Sequence, residues 1–382
     1  MADVDIYLDH AASTPMTPAA LARYSEVAAQ YFGNPSGLHR QSRQAKAILE
    51  DARERCAQQL GRDPSEVVFT SGGTEGDNFA VLCPVLPPHA RILSTRVEHH
   101  GVLEPLRSRT NVSWIEVDRN GVIDTERLEH DLAALGDQVG LMVVMAVNNE
   151  TGVVSDLSSI ADLRRRYAPQ ALLFSDAVQG APWLDLEKSL SEVDLATLSA
   201  HKFGGPRGVG IVLRRRGVET LPLLRGGGQE FELRSGSQNV AGIASAVLAL
   251  EERCALRDQN NLRVEALQSR LESGLVDIDS SIEIVGRLAP RVPGITNSVV
   301  EGIANEEAIF LADEQGLALS GGASCASGAL EPSHVLKAMG YSDAAGRSCL
   351  RWSLGVTTTV AEIDRALEII EGVIRSLRGG LS

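Results

Sequence analysis

Seven short apolar runs constrain the fold of this chain more than any other feature. They lie at 66–70, 91–95, 112–117, 139–146, 171–175, 194–199 and 209–213. Most are bounded by turn residues, and stretches with helical spacing separate most of them. Strands without polar alternation are covered on both faces, and helix-length crossovers join parallel neighbours. The expected fold class is therefore α/β: a mainly parallel seven-stranded sheet flanked by helices. One helix is explicit in Ala45, Ile48, Leu49, Ala52, Cys56 and Leu60, spaced three or four apart and stopped by Gly61. After about residue 237 the texture changes. A long amphipathic helix over 238–273 is followed by short strands near 282–286 and 296–300, a helix at 305–315, a Gly/Ser loop at 320–328, a strand at 348–354 and a last helix near 360–377. These read as a smaller α+β domain. The expected division is a large domain over 16–256 and a small one built from 1–15 and 257–382.

Composition excludes several function classes. The 382 residues are 43% hydrophobic and 23% charged, with a net charge of −14. That excludes wholesale disorder and a broad basic footprint on nucleic acid. A membrane span takes roughly 20 apolar residues, and the run 139–147 is far shorter. The opening MADVDIYLDHAAS has no basic n-region and no apolar h-region, so the expected location is the cytoplasm. Cysteines at 56, 83, 254, 325 and 349 are odd in number and show no CxxC spacing. They are expected as free thiols, with neither a disulfide framework nor a metal site.

Three motifs carry chemistry. Ser71-Gly72-Gly73-Thr74-Glu75 follows a strand and opens a helix, so its free backbone N–H groups and the helix dipole suit an anion. It lacks the GK[ST] of a P-loop and the G-x-G-x-x-G fingerprint; an ordinary βα turn has the same look. Asp176, in Ser175-Asp176-Ala177-Val178-Gln179, ends a strand at the sheet edge where ligands bind, although an Asp there also serves as an N-cap. Lys202, in Ser199-Ala200-His201-Lys202-Phe203-Gly204-Gly205, sits just past a strand, where a desolvated lysine can form a Schiff base. The match to S-x-x-K lacks its K-T-G companion. An anion cup, a strand-end carboxylate and such a lysine are together what pyridoxal 5′-phosphate requires.

The chain resembles the cysteine desulfurases of the NifS/IscS type, in the class V aminotransferase family of fold type I pyridoxal-phosphate enzymes. The resemblance runs from Tyr7 to Gly355. It rests on Gly33-Asn34-Pro35-Ser36, SGGTEGDN, Glu98-His99-His100, Val147-Asn148-Asn149-Glu150-Thr151-Gly152, SDAVQ, SAHKFGGPRGVG, Gly226-Gly227-Gly228-Gln229-Glu230, Arg234-Ser235-Gly236-Ser237, the Cys325 loop and Arg351-Trp352-Ser353-Leu354-Gly355. It implies that Lys202 holds the cofactor aldehyde, Asp176 pairs with the pyridine nitrogen and Gln179 bonds the ring hydroxyl. It implies that His99 stacks on the ring as an acid/base group. Gly73, Thr74, Ser199 and His201 would hold the phosphate, and Ser237 the phosphate of a partner subunit's cofactor, so a homodimer is expected. Asn149 and Arg351 would contact the substrate, with Arg351 on its carboxylate.

Cys325 lies in Ser320-Gly321-Gly322-Ala323-Ser324-Cys325-Ala326-Ser327-Gly328. Small residues there leave the backbone freedom to move, and no large apolar neighbour marks a structural thiol. The resemblance makes Cys325 the residue that takes sulfur from L-cysteine as a persulfide, releases L-alanine and hands the sulfur to an acceptor protein. Cys56, Cys83, Cys254 and Cys349 are expected to be structural. The family more often has S-S-G-S-A-C at the loop, Ser at position 76 and Thr at 237. About thirty residues follow Arg351, fewer than in the IscS-like members, so the expected acceptors include a tRNA-thiolation or DNA-phosphorothioation protein besides an iron–sulfur scaffold. A selenocysteine lyase or an aminotransferase is the alternative within the family.

Overall fold

The computed structural model describes residues 6–321 and 332–379. Each of the seven apolar runs forms a strand: β1 (Val67–Thr70), β2 (Arg91–Thr95), β3 (Val112–Ile115), β4 (Val139–Val143), β5 (Leu172–Asp176), β6 (Leu195–Ser199) and β7 (Gly210–Arg214). They make one sheet in the order β1-β7-β6-β5-β4-β2-β3. Only β7 runs antiparallel to its neighbours; the other pairs are parallel. Residues of β4 and β6 are buried throughout, as expected for strands covered on both faces. The sheet is α/β with helices on its two sides, as its alternating pattern required.

The expected single helix over 238–273 is two helices, Val240–Ala255 and Arg257–Ile278, broken at Leu256 (φ −103°, ψ 5°). The reason is that its two ends serve different cores. Ile243, Ala246, Val247 and Leu250 belong to the core of the large sheet, with helices α1 (Pro18–Gln30) and α2 (Arg40–Gln59) alongside. Val264, Leu267, Leu271 and Leu275 belong to a second core with Trp352, Ile363 and Ile370. One straight apolar stripe cannot face both. The second core also covers a three-stranded antiparallel sheet of β8 (Glu283–Ile284), β9 (Ile295–Val299) and β10 (Cys349–Ser353).

The N-terminal segment is tied into this second region. Ile6–Tyr7 pairs with Leu317–Ala318, and Asp9 bridges to Ser353. The segment then crosses to the large sheet, where Thr14 N–H donates to the His201 carbonyl at 3.0 Å. Cys56, Cys83 and Cys349 are buried and Cys254 half-buried, all as free thiols. Burial pushes Cys56 and Cys349 up to about 12 and Cys83 to about 11, which disfavours the thiolate at neutral pH. No helix among the described residues is long and apolar enough to cross a membrane.

One turn is strained. Glu230, Phe231 and Glu232 have φ of 47°, 58° and 64°, a left-handed run that costs L-residues about 1–3 kcal/mol each. A buried ion pair holds it. Arg53 makes two 2.8 Å hydrogen bonds to the Glu230 carboxylate and lies 4.9 Å from the rings of Phe69 and Phe231. Glu230 also accepts from the Phe69 N–H and from Gln238 Nε2. Arg53→Met leaves a buried carboxylate without its cation and is expected to cost about 3–5 kcal/mol in chemical denaturation. Adding Glu230→Gln is expected to restore part of that loss.

Candidate active site

Parallel strands deliver their carboxyl ends to one edge, and the loops after β1, β5 and β6 meet there around a cavity of about 430 Å³. After β1 comes helix α3 (Gly73–Leu82). Its N-cap is Gly72, and no side chain caps it, whereas Thr17, Asp124, Asp156 and Asn239 cap other helices. Its first N–H groups open onto a recess lined by Gly73, Thr74, Ser199 and His201, as an anion requires. A Cβ on Gly73 would lie 3.0 Å from Val178 Cγ2, which explains the glycine.

Asp176 ends β5. One of its oxygens accepts the Val178 N–H at 2.9 Å. Burial raises its carboxyl to about 6, against the nearby Lys202 cation, which draws it down. Lys202 closes the short turn after β6. Its Nζ donates to the carbonyls of Ala11 (2.6 Å) and Ala12 (2.9 Å), and Gln179 Nε2 donates to the same Ala11 carbonyl at 2.7 Å. His201 is pushed down to about 4 by burial, Lys202 and Arg207, so it is neutral at pH 7.

His99 is the N-cap of helix α4 (His100–Arg107), and its Nδ1 accepts the Gly101 N–H at 3.0 Å. A ring nitrogen that accepts carries no proton. Burial, then Lys202 and the nearby imidazoles, push the group down to about 4, so the neutral ring keeps its proton on Nε2. The helix cap thus selects the tautomer. Arg351, on β10, donates to Asp9 Oδ1 at 2.9 Å and to the Asn149 carbonyl at 3.1 Å. Asn149 is presented by an Asx turn in which Asn148 Oδ1 accepts the N–H groups of Glu150 and Thr151.

Gly73, Thr74, His99, Asn149, Asp176, Gln179, Ser199, His201, Lys202 and Arg351 all line this one cavity. Ser237 does not; it is exposed on the segment beyond the strained turn. Cys325 lies outside the described residues. Sequence reasoning missed Asp77, His100 and His334, which line the cavity, and the backbone carbonyls that hold Lys202. Asp77 was within reach, because it falls one helical turn after Gly73 on α3 and so shares its face. His334 had no local signal. Its helix brings it in, and its Nε2 donates to the Glu98 carbonyl at 2.9 Å, with its ring 4.5 Å from that of His100.

The class-V aminotransferase family model matches residues 6–366, and the chain belongs to that family. It is 36% identical over 384 residues to an IscS-like cysteine desulfurase of Mycobacterium tuberculosis, covering 97% of each chain. Among solved structures it is similar to a NifS-like protein with a TM-score of 0.89 and 31% identity, over 98% of this chain and 100% of that one. It is also similar to SspA in complex with cysteine, with a TM-score of 0.77 and 27% identity, over 92% and 99%.

Enzymes of this family use pyridoxal 5′-phosphate, and the residues present fit it. The uncapped start of α3 suits the phosphate. Asp176 has a second oxygen that accepts no hydrogen bond among the described residues. Asn149 Oδ1 is buried with no partner there. Lys202 is held by neutral carbonyls within the same cavity. Nitrogen NMR of the imidazoles is expected to show His99 neutral and protonated on Nε2 from pH 6 to 8. Its titration is expected near 4; a midpoint close to 6.5 contradicts the assignment.

Proposed function

We propose that this chain is a pyridoxal 5′-phosphate-dependent L-cysteine desulfurase. It takes sulfur from L-cysteine, releases L-alanine and holds the sulfur as a persulfide on Cys325 for an acceptor protein. The observation that carries this reading is the convergence of Lys202, Asp176, His99 and Arg351 on one cavity beside the uncapped start of α3. The identity to curated cysteine desulfurases supports it over the whole chain.

The bound cofactor supplies an electron sink and an aldehyde for amines. The chain's own groups do the rest. Arg351 receives the substrate carboxylate, and Asn149 lies against it at the same wall. Asp176 supplies the negative charge for the cofactor nitrogen. Lys202 Nζ, lying within reach of the Ala11 and Ala12 carbonyls when it is free, moves the Cα proton. His99 donates from Nε2, the position that its helix cap leaves protonated. The Cys325 thiolate then attacks the substrate sulfur. An S–S bond forms as the Cβ–S bond breaks; the electron pair goes to carbon, which takes a proton, and alanine leaves.

The proposal extends to a homodimer. Ser237 is exposed and outside its own cavity, which suits reach toward the cofactor phosphate of a second copy. The sulfur acceptor is a protein of iron–sulfur assembly, tRNA thiolation or DNA phosphorothioation, and the reaction is placed in the cytoplasm, where free thiols persist.

Three variants test this. Lys202→Ala is expected to lose the cofactor's visible absorbance after reduction and dialysis, together with all alanine release. Cys325→Ala is expected to keep the absorbance and lose sulfur transfer; turnover equal to wild type with a protein acceptor overturns the persulfide role. Arg351→Gln removes a charged hydrogen bond worth about 1.5–3 kcal/mol. It is expected to lower kcat/KM roughly tenfold to a hundredfold, mainly through KM.

A further inference from the structure

At the cavity wall and just behind it, three buried acidic side chains lie close enough to act on one another. Asp77 projects from α3, Asp176 ends β5, and Glu98 precedes α4; none is more than 4% exposed. Carboxylate oxygens of Asp77 and Asp176 and a ring nitrogen of His99 lie within 4.8 Å of one another. Asp77 Oδ1 and Glu98 Oε2 are buried with no hydrogen-bond partner among the described residues. The Gly101 backbone closes the space beside Asp77, since a Cβ there would lie 2.7 Å from Asp77 Oδ2.

Like charges this close in a low dielectric do not all ionise. The three carboxyls are not equivalent. Asp176 has a backbone N–H donor and the Lys202 cation for support. Glu98 accepts the Met145 N–H and the Thr95 hydroxyl, both at 2.9 Å, on one oxygen. Asp77 has the Thr197 side chain of β6, which draws it down, against burial and the two other acids, which raise it, and among the described residues no cation acts on it. Burial and its acidic neighbours hold Asp77 well above the usual carboxylate range, with Glu98 at about 8 and Asp176 lowest at about 6.

We propose that Asp77 is a positioning residue that keeps its proton, so that Asp176 alone carries the negative charge presented to the cofactor nitrogen. An ionised Asp77 would repel that charge and drive the proton onto Asp176, leaving the ring nitrogen without its anion. As a neutral acid Asp77 instead fills the space beside His99 without drawing a proton onto the imidazole. This inference rests on the pyridoxal-phosphate reading of the site.

Asp77→Asn separates the possibilities, because it keeps the shape and cannot ionise. Infrared spectra of the holoenzyme in H2O and D2O read the carbonyl band of a protonated carboxylic acid. That band is expected to lose a component in Asp77→Asn, with Glu98→Gln identifying the component that belongs to Glu98. The pH midpoint of the cofactor's visible band and the cofactor's dissociation constant are expected to stay within about threefold of wild type in proton and ligand affinity. An unchanged acid band in Asp77→Asn, or a midpoint lowered by about one pH unit, a tenfold change in proton affinity, overturns the proposal. Wild-type protein that takes up no cofactor fails the functional reading itself, independently of Asp77.

Discussion

Everything at the site depends on strand direction. Because β5 and β6 run parallel, Asp176 and Ser199 leave the sheet at the same edge. β1 runs the same way through antiparallel pairing on both sides of β7, which adds the start of α3 to that edge. The sheet does not need to bend, and no loop needs to be long, to bring a carboxylate, an amine and an anion cup within one cavity. The cup is a backbone device, the carboxylate a strand end and the lysine the third residue of a short turn. Their relative placement is as rigid as the hydrogen-bonded ladder beneath them.

Electrostatics then sorts groups that look alike in the sequence. Burial pushes His99 and His201 down to about 4 and Asp176 and Glu98 up. The cavity wall therefore sets uncharged imidazoles beside Lys202, the Asp176 carboxylate and the Arg351–Asp9 pair. A small number of charges in a low dielectric acts strongly on whatever is bound. A cationic ring nitrogen would meet the Asp176 carboxylate, whereas an anionic phosphate would meet neutral His201 and the N–H groups of α3.

Much of this was legible in the sequence. All seven strands and the site residues on local motifs stood out, because strand ends, glycine turns and apolar spacing are local properties. What stayed hidden was set by packing at a distance. The break at Leu256 comes from two cores competing for one helix-length segment. Asp77 reads as one more acidic residue on a helix until the Gly101 backbone closes over it. His334 becomes a cavity residue only through the Glu98 carbonyl. The cradle of Lys202 is made of Ala11 and Ala12 carbonyls, and no side-chain pattern announces a backbone oxygen.

That cradle joins distant parts of the chain. The segment that supplies it is strapped to Leu317–Ala318 on one side and to Ser353 on the other, more than three hundred residues along. On a ribosome the early residues would wait, unpaired, until those late strands emerge. The lysine's own strand could already be in place by then. The reactive amine would gain its two oxygens only after those strands, which follow the lysine in the chain, had formed.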